Sequence, residues 1–138
     1  MEFSTEGYQE KIEKPWGYEL IYTPKNMPQA GKILFVRSGQ KLSLQYHESK
    51  EETLCLFSGQ ARIWLENSAG AIEKINMEPQ CGYSVVSGQR HRIEAMEDSF
   101  IIEVSSPEKG KTVRIEDEYS RTDETEEMRA QKNRGWEA

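Results

Sequence analysis

Short segments that alternate apolar and polar residues follow one another along most of the chain. They are GYELIY at 17–22, KILFVR at 32–37, KLSLQYH at 41–47, TLCLF at 53–57, ARIWLE at 61–66, AIEKINM at 71–77, YSVVS at 83–87, HRIEA at 91–95 and FIIEVSS at 100–106. Gly, Pro, Asn, Asp or Ser separates most of them, and alternation bounded by such residues is typical of β-strands. Many short strands with turns between them predict an all-β fold, an antiparallel sandwich or a small barrel.

The pattern changes after residue 121. The segment TDETEEMRAQKNRGW has a candidate N-cap at Thr122, acidic residues in its first turn, basic residues later and Gly135 near its end. These features predict one short helix over about residues 122–134 with a solvated surface. Because no repeat or linker divides the chain, we expect a single domain over residues 1–138, with a barrel over about 14–121 followed by this helix.

Length and charge narrow the classes of function. The 138 residues fit one domain, and a formal net charge of −6 argues against the basic surface that nucleic-acid-binding proteins present. No apolar run is long enough for a membrane helix and the first residues do not resemble a signal peptide, so we expect a cytoplasmic protein with neither nucleic-acid nor membrane partners. Cys55 and Cys81 are too few for a disulfide framework, and we expect both to be reduced packing thiols.

One strand-like segment carries an unusual set of polar residues. Alternation places on one face of KLSLQYH the residues Lys41, Ser43, Gln45 and His47. Glu52 follows across a short turn and can return toward the same face, and His91, the second of two histidines, begins another predicted strand. Imidazole, carboxylate and amide donors suit a divalent ion such as Zn²⁺, Mn²⁺, Fe²⁺, Co²⁺ or Ni²⁺. The alternative is that both histidines are half-buried at strand ends with hydrogen-bonded ring nitrogens.

Two stretches resemble the motifs of the cupin superfamily. GQKLSLQYHESKEETLCLFSG at 39–59 is similar to the first motif, G(X)5HXH(X)3-4E(X)6G, with Gln45 in the slot of the first histidine. GYSVVSGQRHRIEA at 82–95 resembles the second motif through Gly82, Gly88 and His91. Further blocks, KPWGYE at 14–19, IIEV at 101–104 and VRIEDEYSR at 113–121, resemble the type II mannose-6-phosphate isomerase family, which occurs alone or as the C-terminal part of mannose-1-phosphate guanylyltransferases.

This resemblance implies a single-domain cupin, a double-stranded β-helix or jelly-roll barrel, that forms a homodimer. It implies one divalent metal ion, zinc being the first expectation, held by Gln45, His47, Glu52 and His91. The implied activity is a metal-dependent interconversion of an aldose phosphate and a ketose phosphate through an enediol, as between mannose 6-phosphate and fructose 6-phosphate. Lys50 replaces a usual arginine and Leu54 a common tryptophan, and both departures leave the substrate open.

Candidates for proton transfer and substrate binding come from the same strands. Glu103 lies in the apolar run FIIEVSS, so its carboxylate faces the cavity or is paired, unless it lies in solvent on an edge strand. Lys50 and Arg121 are candidate phosphate ligands and, with Glu103, candidate catalytic residues. Ser43 is a candidate hydrogen-bond donor to substrate, whereas Arg92 is expected in solvent near the entrance.

Three functions stay open at this stage. The first is the sugar-phosphate isomerase, and the second is isomerisation or epimerisation of another sugar or sugar nucleotide. The third is a cupin that binds a sugar or a metal and catalyses nothing. A metal-dependent dioxygenase is less favoured, because the amide of Gln45 replaces a third ligand of the usual type.

Overall fold

The computed structural model describes residues 2–131. The elements in this part of the chain are β1 (Glu10–Lys14), β2 (Gly17–Ile21), β3 (Ala30–Val36), β4 (Leu44–His47), β5 (Glu52–Ser58), β6 (Ala61–Glu66), β7 (Ile72–Asn76), β8 (Gly82–Val85), β9 (His91–Ala95), β10 (Ser99–Ser105), β11 (Thr112–Glu116) and α1 (Glu126–Arg129). The strands form two antiparallel sheets, with the orders β1-β2-β3-β10-β5-β8 and β11-β4-β9-β6-β7. The prediction of an all-β fold with a short C-terminal helix is confirmed.

The two sheets enclose a hydrophobic core that changes into a polar interior. Leu54 and Leu56 on β5 and Ile101 on β10 are at most 2% exposed, because every second residue of a strand faces the same side. Glu52 and Glu103 occupy further inward positions of these two strands and are also buried. The same alternation that builds the apolar core therefore carries carboxylates into the barrel.

The turn between β1 and β2 depends on glycine. Gly17 has a φ of +157°, and a Cβ atom there would lie 1.8 Å from the carbonyl oxygen of Phe35 on β3. This close approach brings the β1–β2 hairpin onto the sheet, and Trp16 in the turn is 4% exposed. The hairpin thereby contributes Lys14 and Trp16 to the barrel interior.

Several boundaries differ from the sequence-based expectations. Strands β1 and β11 were not predicted, and β4 begins only at Leu44, three residues after the start of the predicted segment. The predicted N-cap at Thr122 is wrong: the Thr125 side chain accepts the hydrogen bond from the Met128 N–H at 3.3 Å. The helix starts later because Glu124 still pairs with Thr112 in a β-bridge. The last part of the predicted helix, 132–134, and Gly135 lie outside the described residues.

Two smaller expectations concern membranes and thiols. Within residues 2–131, no helix is both long and apolar enough to cross a membrane. Both cysteines are free thiols; Cys55 is half-buried on β5, whereas Cys81 is exposed and does not have the packing role expected of it.

Candidate metal centre and its charged cavity

Three predicted ligands meet where three strands begin or end. His47 is the last residue of β4, Glu52 the first of β5 and His91 the first of β9. One donor atom from each lies within 4.8 Å of the others, and all three side chains are buried. Gln45 is the register partner of His91, so the β4–β9 pairing holds two of these strands at the site. We call His47, Glu52 and His91 the triad.

Hydrogen bonds orient both imidazole rings of the triad. The Nδ1–H of His91 donates to the carbonyl oxygen of Gln89 at 2.9 Å, which leaves Nε2 of that ring with its lone pair. Nδ1 of His47 lies 2.9 Å from the hydroxyl oxygen of Thr112. The Nε2 atoms of His91 and His47 lie 2.9 Å and 3.3 Å from Oε1 of Glu52. Both rings therefore direct Nε2 at one carboxylate oxygen.

Nε2 of His91 is buried and has no hydrogen-bond partner among the described residues. Its short distance to Glu52 does not have hydrogen-bond geometry, so proximity alone does not satisfy this nitrogen. An unpartnered imidazole nitrogen beside a carboxylate and a second imidazole is the donor set of a divalent metal site. The residues present fit a divalent cation.

The charges around the triad favour the protonation states that a metal ion needs. Burial lowers the pKa of His47, so its imidazole is neutral at neutral pH. Burial alone would raise the pKa of Glu52, but the nearby Lys50 ammonium above all holds it well below its usual value. Neutral imidazole and ionised carboxylate are the ligand forms of these side chains.

Two more predicted residues lie on the wall of the same cavity. Ser43 is 1% exposed, and its hydroxyl donates to Oε1 of Gln45 at 2.5 Å. Both residues line the cavity, and the roles of Gln45 as metal ligand and Ser43 as substrate ligand stay predictions. Lys41 is different: its ammonium lies 5.5 Å from the ring centroid of Trp64, because regular alternation begins only at Leu44.

Lys50 connects the triad to Glu103. Its ammonium lies 3.3 Å from Oε2 of Glu52, 3.1 Å from Oε2 of Glu103 and 3.6 Å from Oε1 of Glu108. Burial, together with the charge of Glu52, raises the pKa of Glu103 to about 7. Burial opposes the charged form of Lys50, but the carboxylates, Glu103 foremost, raise its pKa. Glu103 is 4% exposed, so the alternative of an edge-strand glutamate in solvent does not apply.

A network of opposite charges extends from this pair through the interior. Its cations are Lys14, Lys32, Lys50, Arg114 and Arg129, and its carboxylates are Glu19, Glu52, Glu103, Glu108 and Glu124. Sequence reasoning missed most of these residues. The sequence did contain a signal for Lys32, because alternation places it on the same strand face as the apolar Leu34 and Val36. In the structure Lys32 is 2% exposed.

Two arginines differ in how far the structure matches expectation. Arg121, a predicted phosphate ligand, lines the cavity, and its Nε and Nη2 donate to the two carboxylate oxygens of Asp117 at 2.9 and 3.1 Å. The expectation of an exposed Arg92 is wrong, because it is 2% exposed. Its Nε donates to the carbonyl oxygen of Leu42 at 2.9 Å, and its guanidinium carbon lies 5.0 Å from the ring centroid of Trp64.

The charged cavity is the space inside the barrel bounded by the triad, Ser43, Gln45, Lys50, Glu103 and Arg114, together with their neighbours. Its volume is about 70 Å³. That is room for a few water molecules or a small ligand, and it is below the roughly 300–1,000 Å³ of most small-molecule pockets. The salt bridges inside the barrel occupy much of the space that a larger ligand would need.

Comparison with solved structures identifies the fold. An oxalate decarboxylase variant from Bacillus subtilis superposes with a TM-score of 0.66 at 19% identity, over 78% of this chain and 31% of that chain. KdgF from Halomonas sp. gives 0.60 at 19% identity, over 74% and 89%. The capsular polysaccharide assembling protein CapF from Staphylococcus aureus gives 0.61 at 13% identity, over 74% and 29%. No protein-family model matches the sequence, and neither does any curated protein.

These neighbours have the cupin fold, and the chain shares it. The chain spans about a third of the length of the oxalate decarboxylases that it matches. The prediction of a cupin barrel is confirmed, whereas the resemblance to mannose-6-phosphate isomerases stays a prediction. Fold and triad together define a cupin-fold protein with a candidate site for a divalent metal ion.

Proposed function

We propose that this protein is a metal-dependent isomerase that interconverts the aldose and ketose forms of a sugar phosphate, in the manner of mannose-6-phosphate isomerases. The observation that carries the proposal is the position of Lys50. Its ammonium lies between Glu52 of the triad and Glu103, 3.3 Å from one carboxylate and 3.1 Å from the other. Glu103, which can accept and donate a proton, is thus connected to the candidate metal centre through the ammonium of Lys50.

The triad would hold the ion, with the amide oxygen of Gln45 as a fourth donor. Two imidazoles and a carboxylate suit Zn²⁺, our first expectation, and also Mn²⁺. Manganese is supported by the Mn(II) centres of one cupin-fold neighbour, the Bacillus subtilis oxalate decarboxylase. A bound divalent cation supplies Lewis-acid polarisation of a carbonyl oxygen.

Glu103 is the proposed proton carrier. Its carboxylate takes the proton from the hydroxyl-bearing carbon next to the carbonyl and returns it to the former carbonyl carbon. A second proton moves from the hydroxyl oxygen to the former carbonyl oxygen, so that hydroxyl and carbonyl exchange places through an enediol. A pKa of about 7 suits a group that must both accept and donate a proton at neutral pH. The Lys50 ammonium stabilises the carboxylate of Glu103 and donates a hydrogen bond to the oxygen on which charge develops.

The remaining predicted residues position the substrate. Ser43 and Gln45, which hydrogen-bond to each other, bind a substrate hydroxyl on the wall beside the triad. Because Lys50 already contacts three carboxylates, we assign it to the support of proton transfer by Glu103 rather than to phosphate binding. Arg121, which lines the same cavity, is kept as the predicted phosphate ligand.

The cavity volume favours a second candidate function. A space of about 70 Å³ suits a smaller molecule than a hexose phosphate, which points to isomerisation or epimerisation of another, shorter sugar derivative. Lys50 and Leu54, which depart from the isomerase pattern, border the same cavity. CapF, a capsular polysaccharide assembling protein, is a cupin-fold neighbour whose description concerns carbohydrate, and it supports this alternative. A cupin that only binds such a sugar is the non-catalytic form of this alternative.

The first test is metal content followed by turnover. We expect stoichiometric metal in the purified or reconstituted protein and its loss in His47→Ala and His91→Ala. With metal present, a coupled assay should detect fructose 6-phosphate formed from mannose 6-phosphate. Glu103→Gln should keep the metal and lose turnover, and the exposed Glu73→Gln is the matched control.

The outcomes separate the candidates. Metal without turnover of mannose 6-phosphate, but with turnover of a shorter sugar derivative, would favour the second function. Metal without turnover on any sugar tried would leave only sugar binding. A protein that takes up no divalent metal after reconstitution would contradict the proposal at its basis.

A further inference from the structure

We propose that Arg114 binds the anionic group of the substrate, a carboxylate or a phosphate, on the cavity wall next to the triad. The inference rests on the proposed function only in taking the anion to be part of the substrate. Arg114 lies on β11, lines the charged cavity and has a side chain that is 4% exposed. No sequence pattern suggested a role for it.

The hydrogen bonds of Arg114 are incomplete. Nη1 donates to the carbonyl oxygen of Thr122 at 2.5 Å, and Nη2 lies 3.1 Å from Oε2 of Glu124. Nε is buried and has no hydrogen-bond acceptor among the described residues. Buried guanidinium N–H groups normally have an acceptor, so an unmatched one in a cavity wall requires an explanation. A substrate anion provides the missing acceptor.

Arg114 also shares its carboxylate partner with other cations. Its carboxylate partner Glu124 is shared with two further cations, Lys14 at 3.8 Å and Arg129 at 2.8 Å. Burial, followed by the charge of the nearby Arg121, lowers the pKa of Arg114, although Glu124, Asp117 and Asp123 act in the opposite direction. Lys14 also contacts Glu19 and Arg129 also contacts Glu108, whereas an added anion would give Arg114 the acceptor that its Nε–H lacks.

Elsewhere in the cavity the cations are better matched. Lys14, Lys32 and Lys50 each lie within 3.9 Å of at least two carboxylates. Arg121 forms its two-pronged contact with Asp117. Within residues 2–131, Arg114 is the cation with a buried N–H that lacks an acceptor. This difference singles it out as the cavity cation with an N–H, at Nε, that is left for an anion.

The register of β11 places Arg114 beside the triad. Thr112 is paired with His47 and hydrogen-bonds to its ring, and Arg114 is paired with Gln45, two residues further along both strands. Two residues of a strand span about 7 Å, and their side chains point to the same face. An anion bound at Arg114 therefore lies a few covalent bonds from a substrate atom at the triad.

This geometry fits the second candidate function better than mannose 6-phosphate, whose phosphate is distant from the reacting carbons, and it indicates the class of substrate. It is a short hydroxy or keto compound whose carboxylate or phosphate lies close to the reacting carbons, since the cavity has a volume of only about 70 Å³. Either anion can accept a hydrogen bond from the Nε–H of Arg114. The structure therefore indicates a substrate with an anionic end, and the experiment below distinguishes phosphate from carboxylate.

The test is anion binding to the metal-loaded protein. Inorganic phosphate and acetate are titrated by calorimetry into wild type, Arg114→Gln, Arg114→Lys and Arg37→Gln, an exposed arginine that serves as control. We expect one anion site in wild type, about ten- to a hundredfold weaker in Arg114→Gln and unchanged in Arg37→Gln. Metal content is measured for each variant, because an anion can also bind the metal itself. Arg114→Lys keeps the charge and lacks Nε–H, and it replaces the glutamine variant if that one does not fold.

Each outcome bears on the proposal. Weaker binding in the Arg114 variants at unchanged metal content supports it, and the better-bound probe identifies phosphate or carboxylate as the anionic end. Equal affinity in wild type and the Arg114 variants, or no binding of either probe to wild type, overturns it. The isomerase proposal is judged separately by turnover in Glu103→Gln, so either proposal can fail while the other survives.

Discussion

Replacing Lys50 with methionine removes a buried cation from among three carboxylates. Its ammonium lies 3.1 Å from Glu103, 3.3 Å from Glu52 and 3.6 Å from Glu108. At an effective dielectric constant of about 20, one pair at such a distance contributes about 5 kcal/mol before desolvation is subtracted. Breaking a buried pair from one side costs about 3–5 kcal/mol, because the remaining charge stays buried. We expect Lys50→Met to lower the free energy of unfolding of the metal-free protein by that amount at neutral pH.

Glu103 sets the pH dependence of this loss. Burial and the charge of Glu52 raise its pKa to about 7 in the folded protein. A carboxyl group whose pKa is higher in the folded than in the unfolded protein does not affect stability at a pH below its unfolded-state pKa. As the pH rises from there to the folded-state pKa, the group lowers the free energy of unfolding by a growing amount. Without Lys50 that folded pKa is higher, so in the variant the effect keeps growing above pH 7, whereas in wild type it levels off. The difference between the two proteins should be larger at about pH 8.5 than at about pH 6.

Urea unfolding at both pH values, followed by tryptophan fluorescence in the presence of a chelator, measures the loss of unfolding free energy in Lys50→Met and its change with pH. Lys109→Met is the matched control, because Lys109 is exposed and should stay within about 0.5 kcal/mol of wild type. A loss below about 1 kcal/mol in Lys50→Met, or a loss that does not increase with pH, would refute the reasoning about the charge network.

Three further predictions test the metal, the core and the outer surface. Adding a chelator should lower the melting temperature of wild type but not of His91→Ala, and equal shifts in thermal scans would contradict a metal bound by the triad. Ile101→Ala should lower the free energy of unfolding by about 2–5 kcal/mol in urea, since the residue is fully buried in the core; a loss under 1 kcal/mol would mean that the core repacks freely. We also propose a homodimer that covers the aromatic outer face, where the Phe35 and Phe100 ring centroids are 5.0 Å apart. Phe100→Glu should then shift the sedimentation coefficient from dimer to monomer, and a monomeric wild type would oppose the proposal.

Alternation predicted the strands well but does not by itself tell which face of a strand is buried. In GYELIY the alternation is present, but Glu19 is the buried residue, and Tyr18 packs against Phe35. The barrel interior is partly polar, so a rule that places apolar residues inside fails there. Glu19 is stabilised inside by Lys32, whose ammonium lies 2.6 Å away.

The triad was predictable because its three residues lie in two short motifs of recognisable spacing. The charge network was not, because its partners are distant in sequence: Lys32 and Glu108 hydrogen-bond across 76 positions. Arg92 illustrates the same limit. A position next to a histidine at a strand start suggests exposure, but the carbonyl oxygen of Leu42, 50 positions away, accepts the hydrogen bond that keeps it inside.

The triad draws on both sheets, since β5 belongs to the six-stranded sheet and β4 and β9 to the five-stranded one. A cation held by these donors would link the sheets, and only the closed barrel would bind it. Folding would have to bring the sheets together first, so the ion would slow unfolding more than it would speed folding. The saturated protein would gain stability with the logarithm of free metal concentration, and its resistance to proteases would follow metal supply.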